Sequence, residues 1–508
     1  MIIVELTAAI DAAGTQQALY LSDARLVTLP TDTPADTAFD DSLLDPGSIA
    51  LSAFGDGRTG GGTRLALGEI RVANLGGQYD GWLAYGFDGR PVTIRRGASG
   101  AYPAAYPAVF VGTVETLTVT RREVIIRLRD KQLVLDRPVL TTTYGGTNAL
   151  PDGIDGTPDD LAGKPKPLLF GRVYSIAPPM VNTSRLIYQI SDGAILSVDA
   201  IYDRGADLTN AGDVATPALL QSATVAGGTY VTCLAAGLFR LGATPAGQIT
   251  ADATSGAGAT DRTAGQALLT LAQRAGLTGA EISSADIAQL DLDQPSTLGF
   301  WASDAAQTFT AVMDAVATTA GAFYAFSPTG VLRFARLTVP TGVAALALES
   351  YDVFDPFERR PARDGDLPAW SYTINHTRYW SPQTSDLAAS VTGARRAALG
   401  LAYRSTRAED ATVKNQFILA GEESVDSLFV VAAEAGTEAA RRLAMFKARR
   451  NFFEVGVPLE RVTESGVQLM DVVQLTNARF GLSGGSLFRL LGIRFELARN
   501  RAFLTLWG

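Results

Sequence analysis

The chain has 508 residues, enough for about three or four domains. Its formal charge of −9 and its scattered basic residues exclude an electrostatic footprint for nucleic acid. The only cysteine, Cys233, excludes an intrachain disulfide and a cysteine metal cluster, and we expect it to be a small buried residue. We expect a soluble protein made in the cytoplasm, because the sequence shows no basic signal-peptide region and no run of about 18 apolar residues.

The first stretch with a clear pattern predicts antiparallel strands. Residues 1–30 predict a strand, a turn and a second strand, and apolar residues then alternate from Val92 to Leu128. Turn residues, among them Arg121-Arg122, interrupt the alternation, which is typical of hairpins with one buried face. The glycine-rich residues 55–62 lack the Gly-Lys-Ser/Thr that opens a phosphate-binding helix, so we expect a hairpin loop there.

A long polar loop follows, and its acidic residues suggest a calcium site. The spacing lacks the Asp-x-Asp-x-Asp-Gly order and the closing Glu, so we expect a solvated linker and no metal. After it, short apolar runs predict a small β-rich module with a hairpin turn at Asp192-Gly193. The acidic residues considered as ligands are Asp152, Asp155, Asp159 and Asp160.

Helical periodicity appears next. Apolar residues on one face predict a helix over 264–275 and another over 304–320, with Ser303 as N-cap and Gly321 as its end. A hairpin that turns at residues 327–330 completes an α+β unit. A loop-like stretch follows, and its acidic residues are Asp352, Asp355, Glu358, Asp364 and Asp366.

The end of the chain repeats the design of its beginning. A predicted amphipathic helix over 431–450 precedes an apolar strand, an Arg-rich tip and a returning strand. This hairpin matches the earlier one, with Gly112 aligned to Gly492, and we interpret the match as a duplication of one kind of β-domain. The predicted division is 1–140 for the first β-domain, 141–167 for the linker loop, 168–255 for the β-rich module, 256–340 for the α+β unit and 341–508 for the second β-domain.

Catalytic signatures are missing from the sequence. A Ser-His-Asp triad or a histidine metal site would have to be built on His376 alone, and the alternation of Trp370, Tyr372 and Ile374 favours a structural histidine. Phosphate-loop, nucleophile-elbow, dinucleotide and zinc patterns are missing too, and no carboxylate pair stands out. We therefore predict no enzyme, no catalytic or metal-binding residues and no cofactor.

Several short segments of the sequence resemble those of one protein family. Arg129-Asp130-Lys131 closes the first β-domain, YQISDG and IYDRGADL lie in the β-rich module, and LTLWG ends the chain. In this order they resemble the baseplate or tail-tip hub proteins of long-tailed bacteriophages, prophages and gene transfer agents. The resemblance implies an α+β, β-dominated multidomain fold with two antiparallel β-barrel domains like the tail-tube protein.

The resemblance also implies a role and partners. A homotrimer of such chains offers six barrels and adapts a sixfold tail tube to a threefold tip. The expected partners are the distal tail protein, the tape-measure protein and a fibre or spike, with DNA passing through the lumen without specific binding. The expected location is the virion, at the tail tip, after assembly in the host cytoplasm.

Two alternatives stay open at the level of sequence. A distal tail ring protein would normally have one tube-like β-domain. A carbohydrate-binding or carbohydrate-cleaving protein would place exposed aromatic rings beside two carboxylates in a groove. The local candidates are Tyr372, Tyr379 and Trp380, for which packing in a core or interface is the simpler explanation.

Overall fold

The computed structural model describes residues 1–54, 60–63, 65–98, 100–360 and 367–508, and the side chain of Arg360 is outside the description. Most of the predicted loop at 55–62, together with Asp364 and Asp366, lies outside the described residues. The fold is α+β and β-dominated, which confirms the predicted class.

The N-terminal sheet is antiparallel throughout and has seven strands. Val92, Ile94, Val124 and Ile126 are fully buried, so the apolar alternation in the sequence marks the face of this sheet that packs against the core. In sheet order its strands are Gln16–Ser22, Ile2–Ala9, Pro91–Arg96, Ala108–Val119, Glu123–Arg129, Ile70–Ala73 and Leu43–Asp45.

The C-terminal sheet resembles the N-terminal sheet in the antiparallel strands at its centre, and it includes a strand from the N-terminal part of the chain. Strand Ser48–Ser52 lies within the predicted first β-domain, yet it pairs with strand Ser486–Glu496 and carries the short strand Ala66–Leu67 beside it. The other strands, in sheet order, are Leu346–Leu348, Val472–Leu475, Ser486–Glu496, Arg501–Trp507, Phe452–Pro458 and Phe354–Arg360.

The two large sheets contribute to the same hydrophobic cluster. Val4 and Phe110 from the N-terminal sheet and Phe453, Val473 and Leu504 from the C-terminal sheet all belong to it, and each is at most 1% exposed. Because burial of apolar area is the main favourable term in folding, this shared cluster holds the two β-domains together.

The β-rich module is built from two five-stranded sheets. The predicted hairpin at Asp192-Gly193 is wrong, because strands Ile187–Gln189 and Ser197–Asp203 belong to different sheets and the Asp192 N–H donates to the Pro167 carbonyl. One sheet contains Ala206–Asp207, Ser197–Asp203, Ile249–Thr254, Leu168–Ile176 and Gly299–Ala302; the other contains Met180–Asn182, Ile187–Gln189, Leu238–Leu241, Thr229–Cys233 and Thr209–Asp213.

The α+β unit packs helices over a small sheet, as predicted. Its third helix begins at Phe309 rather than at residue 304, because the Thr308 hydroxyl accepts the Ala311 N–H as N-cap while Asp304 and Gln307 form a separate turn. The helices are Ala264–Arg274, Ser284–Asp293 and Phe309–Ala320, and the strands are Ala322–Phe326, Leu332–Arg336 and Gly61–Gly62.

A lateral sheet lies beside the α+β unit. Helix Ala432–Phe446, shorter than the predicted 431–450, packs its Ala435, Ala439 and Leu443 against Tyr372 of this sheet. The strands are Arg404–Glu409, Ala369–His376 and Gly421–Asp426; shorter elements elsewhere are Leu26–Val27, Ala38–Phe39, Pro217–Ser222, Gly393–Leu399, Val413–Gln416 and Leu459–Ser465. In the described part of the chain, no helix has the length and apolar character needed to cross a membrane.

Candidate assembly interface

The two large sheets contain the same five-strand unit, which we call the repeated unit. In both copies the strands run in the sheet order third, fourth, fifth, second, first, all antiparallel, and a short helix follows the second strand. The first copy is Leu43–Asp45, Ile70–Ala73, helix Asp80–Ala84, Pro91–Arg96, Ala108–Val119 and Glu123–Arg129. The second copy is Phe354–Arg360, Phe452–Pro458, helix Leu459–Ser465, Val472–Leu475, Ser486–Glu496 and Arg501–Trp507.

A bulge fixes how the two long hairpins correspond. In the first copy it lies between Val114 and Thr116, and in the second between Leu490 and Gly492. Gly492 therefore corresponds to Thr116, so the sequence alignment of Gly112 with Gly492 is wrong although the match of the two hairpins is right. A bulge bends and twists a strand, and its presence at the same point gives both long strands the same curvature.

Strand Ser48–Ser52, which lies in the chain between the first and second strands of the first copy, joins the two copies through the backbone. It pairs antiparallel with the outer edge of the second copy's long strand, from Gly492 to Glu496, and the Ala53 N–H donates to the Leu491 carbonyl at 2.7 Å. A Cβ at Gly492 would lie 3.3 Å from the Leu51 carbonyl oxygen, so glycine suits this close approach. The junction therefore covers an edge that would otherwise be open to solvent.

A polar contact adds to this junction. The Arg96 guanidinium, at the end of the first copy's third strand, lies 2.9 Å from a Glu460 carboxylate oxygen and 2.6 Å from Asn500 Oδ1. The Asn500 amide donates to Glu460, and this hydrogen bond, followed by the Arg96 charge, lowers the pKa of Glu460 below its ordinary value. The sequence could not predict this contact from a local pattern, because Arg96 and Glu460 are 364 positions apart.

The single histidine is a packed residue of the lateral sheet. His376 is 4% exposed, and its two ring nitrogens lie 2.8 Å and 2.9 Å from the hydroxyls of Thr377 and Thr406. Burial, followed by the charge of Arg404, lowers the pKa of His376. Both ring nitrogens are engaged by neutral groups, an arrangement that positions the ring within the fold.

The aromatic residues considered for sugar binding are covered. Tyr372 and Tyr379 are buried, and the Arg404 guanidinium lies 4.0 Å from the centre of the Tyr379 ring. The Arg378 guanidinium lies 3.9 Å from the centre of the Trp380 ring. Because these ring faces already stack on arginine or pack in the core, they do not form an open aromatic platform.

The acidic loop is held by internal bonds. Residues 141–167, all of them described, contain no helix or strand. The Asp155 carboxylate accepts from the Gly145 N–H at 2.9 Å and pairs with Lys166 at 3.1 Å; burial opposes its ionisation, but these partners outweigh burial and lower the pKa of Asp155. Asp152 pairs with Arg185. Within the described residues, no group of three or more His, Cys, Asp or Glu side chains could hold a metal ion.

A cleft of about 800 Å³ is lined by the α+β unit, the second β-domain and residues of the first β-domain such as Leu51 and Val109. Its charged groups are engaged with the protein itself: Arg333 pairs with Asp286, and Arg489 donates to the carbonyl oxygens of Thr338 and Met470 at 3.2 Å and 2.7 Å. Arg489 therefore links the second β-domain to the end of the α+β unit beside the cleft. Away from the cleft, Cys233 is a buried side chain, as expected. This burial raises the pKa of its thiol.

Comparison with known proteins gave structural similarities only. No protein-family model and no curated protein matches the chain. It is similar to the tail protein of prophage MuSo2 from Shewanella oneidensis, with 10% identity over 100% of this chain and 98% of that chain, at a TM-score of 0.42. It is also similar to a tail protein from Neisseria meningitidis MC58, with 11% identity over 100% of this chain and 96% of that chain, at a TM-score of 0.43. A third similarity is to a chain of the native gene transfer agent virion, with 14% identity over 74% of this chain and 91% of that chain, at a TM-score of 0.44.

Proposed function

We propose that this chain is a structural protein of a phage-type tail, the central hub of the baseplate or tail tip. The observation that carries the proposal is the repeated unit, present twice in one chain with the same strand order, a short helix after the second strand and a bulge in the long hairpin. A homotrimer of such chains would present six units in a ring, which matches a sixfold tube above to a threefold tip below. A distal tail ring protein, with one tube-like domain, would not need the second copy.

We propose that the protein acts by geometry rather than by catalysis. Its partners in this role are the distal tail protein above, the tape-measure protein within, and a fibre or spike below, at the tip of the tail in the virion. The formal charge of −9 suits a wall along which DNA passes without binding, because like charges repel the phosphate backbone.

The test is the mass of the purified full chain, measured alone and together with its neighbouring tail proteins, followed by low-resolution imaging. We expect a trimeric ring in which six similar densities surround a channel. A chain that remains a monomer under both conditions would contradict the proposal. Binding of an oligosaccharide by that monomer would favour a carbohydrate-recognising protein instead.

A further inference from the structure

The junction between the two copies of the repeated unit is head-to-tail. The first copy contributes strand Ser48–Ser52 and Arg96, whereas the second contributes the outer edge of its long strand together with Glu460 and Asn500. Two different surfaces meet, so each copy keeps one surface that the junction does not use. Head-to-tail interfaces between similar units repeat until they close into a ring or extend into a filament.

The unused surface of the first copy is the outer edge of its long strand. Among the described residues, 116–119 have a strand partner on one edge only, the returning strand Glu123–Arg129. The Thr120 N–H donates to the Glu123 carbonyl across the hairpin. Because hydrogen-bonding directions alternate along a strand, the N–H groups of Leu117 and Val119 point to the open edge, as those of their counterparts in the second copy point toward Ser48–Ser52.

Exposed apolar side chains lie in the loop that is joined to the tip of this hairpin. Leu75 and Leu83 are 76% and 73% exposed. Their loop is tied to the hairpin tip, because the Asn74 N–H donates to the Arg122 carbonyl at 2.8 Å and its side-chain amide donates to the Thr120 carbonyl at 2.9 Å. We call Leu75, Leu83 and the edge at 116–119 the open-edge surface.

The second copy has a matching unused surface around the loop after its third strand. This loop corresponds to the one that follows Arg96 in the first copy. Phe480 is 46% exposed there, under the Arg479 guanidinium at 5.2 Å, and Tyr351 is 86% exposed. The Ser350 hydroxyl donates to the Thr476 carbonyl at 3.4 Å, which brings Tyr351 beside the loop. We call Tyr351 and Phe480 the loop surface.

We propose that the open-edge surface binds the loop surface and adjoining second β-domain of another copy of this chain, so that the third-strand end of one unit meets the hairpin of the next, as Arg96 meets Glu460 and Asn500 within one chain. The proposal rests on the proposed function, because it assigns the contact through which the ring assembles. Continuity with the internal junction argues for a second copy rather than another protein: the same kind of edge is already covered by the same kind of unit. Large exposed apolar side chains on both surfaces are the kind of side chain that such contacts bury.

The experiment uses three variants of the full chain whose substituted side chains are exposed, so that folding is spared. Leu75→Glu with Leu83→Glu blocks the open-edge surface, and Tyr351→Glu blocks the loop surface. Leu292→Glu is the matched control, because Leu292 is 76% exposed on helix Ser284–Asp293 of the α+β unit. Mass is measured by sedimentation and native mass spectrometry.

We expect the wild type and the Leu292→Glu control to form rings, and each blocked variant to be a monomer. An equimolar mixture of the two blocked variants should form a dimer and nothing larger, since only one intact pair of surfaces remains. If the wild type forms a ring and both blocked variants form the same ring, this assignment is overturned while the proposed function stays intact. A wild-type chain that never assembles would instead contradict the proposed function.

Hydrogen exchange of the Leu117 and Val119 amides separates a second copy from another occupant. In the wild-type ring we expect these two amides to exchange at least tenfold more slowly than in the blocked monomers. Fast exchange in the ring would overturn the assignment and leave the edge for a different protein.

Discussion

At the scale of single residues, the buried carboxylate of Glu438 pairs with three arginines. It is 2% exposed and pairs with Arg336, with Arg441 at 2.8 Å and with Arg442 at 2.6 Å, which connects helix Ala432–Phe446 to the α+β unit. Glu438→Gln leaves buried guanidinium groups without a counter-charge. We therefore expect native-state hydrogen exchange to show that the free energy of opening of that helix falls by about 3–5 kcal/mol. The control is Glu409→Gln, because Glu409 forms an exposed ion pair with Arg407. This substitution should lower the free energy of unfolding by less than about 1 kcal/mol.

The same carboxylate gives this effect a pH dependence. Burial favours its neutral form, but the guanidinium groups, Arg441 first, outweigh burial and lower the pKa of Glu438 below its ordinary 4.5. The ion pairs therefore stabilise the fold fully above pH 4.5, and that stabilisation is lost as the pH falls through the lowered pKa. The difference between wild type and Glu438→Gln should thus shrink in acid; a difference independent of pH would contradict this account.

At the scale of elements, a glycine pair allows two strands of the β-rich module to approach. Gly171 lies opposite Gly299 and has a φ of +65°, and a Cβ on it would lie 1.8 Å from the Leu298 carbonyl oxygen. Gly466 has nearly the same φ, +64°, but open space around it. We expect Gly466→Ala to cost about 1–2 kcal/mol from left-handed strain alone, and Gly171→Ala to cost about 1–3 kcal/mol more from the clash.

Native-state hydrogen exchange of the two alanine variants measures this difference, each against the wild type. Gly171→Ala should lower the free energy of opening of strands Leu168–Ile176 and Gly299–Ala302 by more than Gly466→Ala lowers that of helix Leu459–Ser465. Equal effects of both substitutions would show that the backbone conformation, and not the close approach, makes glycine necessary at position 171.

The elements also show how far the sequence alone could lead. Alternating apolar residues and turn residues predicted both long hairpins, because these signals are local. The helix start at Phe309 was missed because Ser303 and Thr308 both precede plausible helical positions, and only the structure shows which one caps. The pairing of Ser48–Ser52 with the second sheet was not predictable, since the pattern of a short strand fits either sheet and its partner lies more than 400 residues away.

At the scale of the whole molecule, the shared hydrophobic cluster makes the two β-domains one unit of stability. Residues from both sheets, such as Val114 and Leu504, belong to the same cluster and are fully buried. The backbone ladder between Ser48–Ser52 and Ser486–Glu496 adds a second link. Domains that share a core open together, whereas the β-rich module has a cluster of its own that includes Val173. The first β-domain should therefore not open without the second.

Replacing one valine in each cluster tests this coupling in the full chain. Val114→Ala removes two buried methyl groups and should cost about 2 kcal/mol, so the amides of Arg501–Trp507 in the other sheet should exchange faster by the equivalent factor of about thirty. Val173→Ala, at a site that is 1% exposed, should speed exchange in Leu168–Ile176 and leave Arg501–Trp507 unchanged. If Val114→Ala altered only the N-terminal sheet, the two β-domains would open independently, and the internal junction would be a contact between separate bodies rather than the continuation of one core.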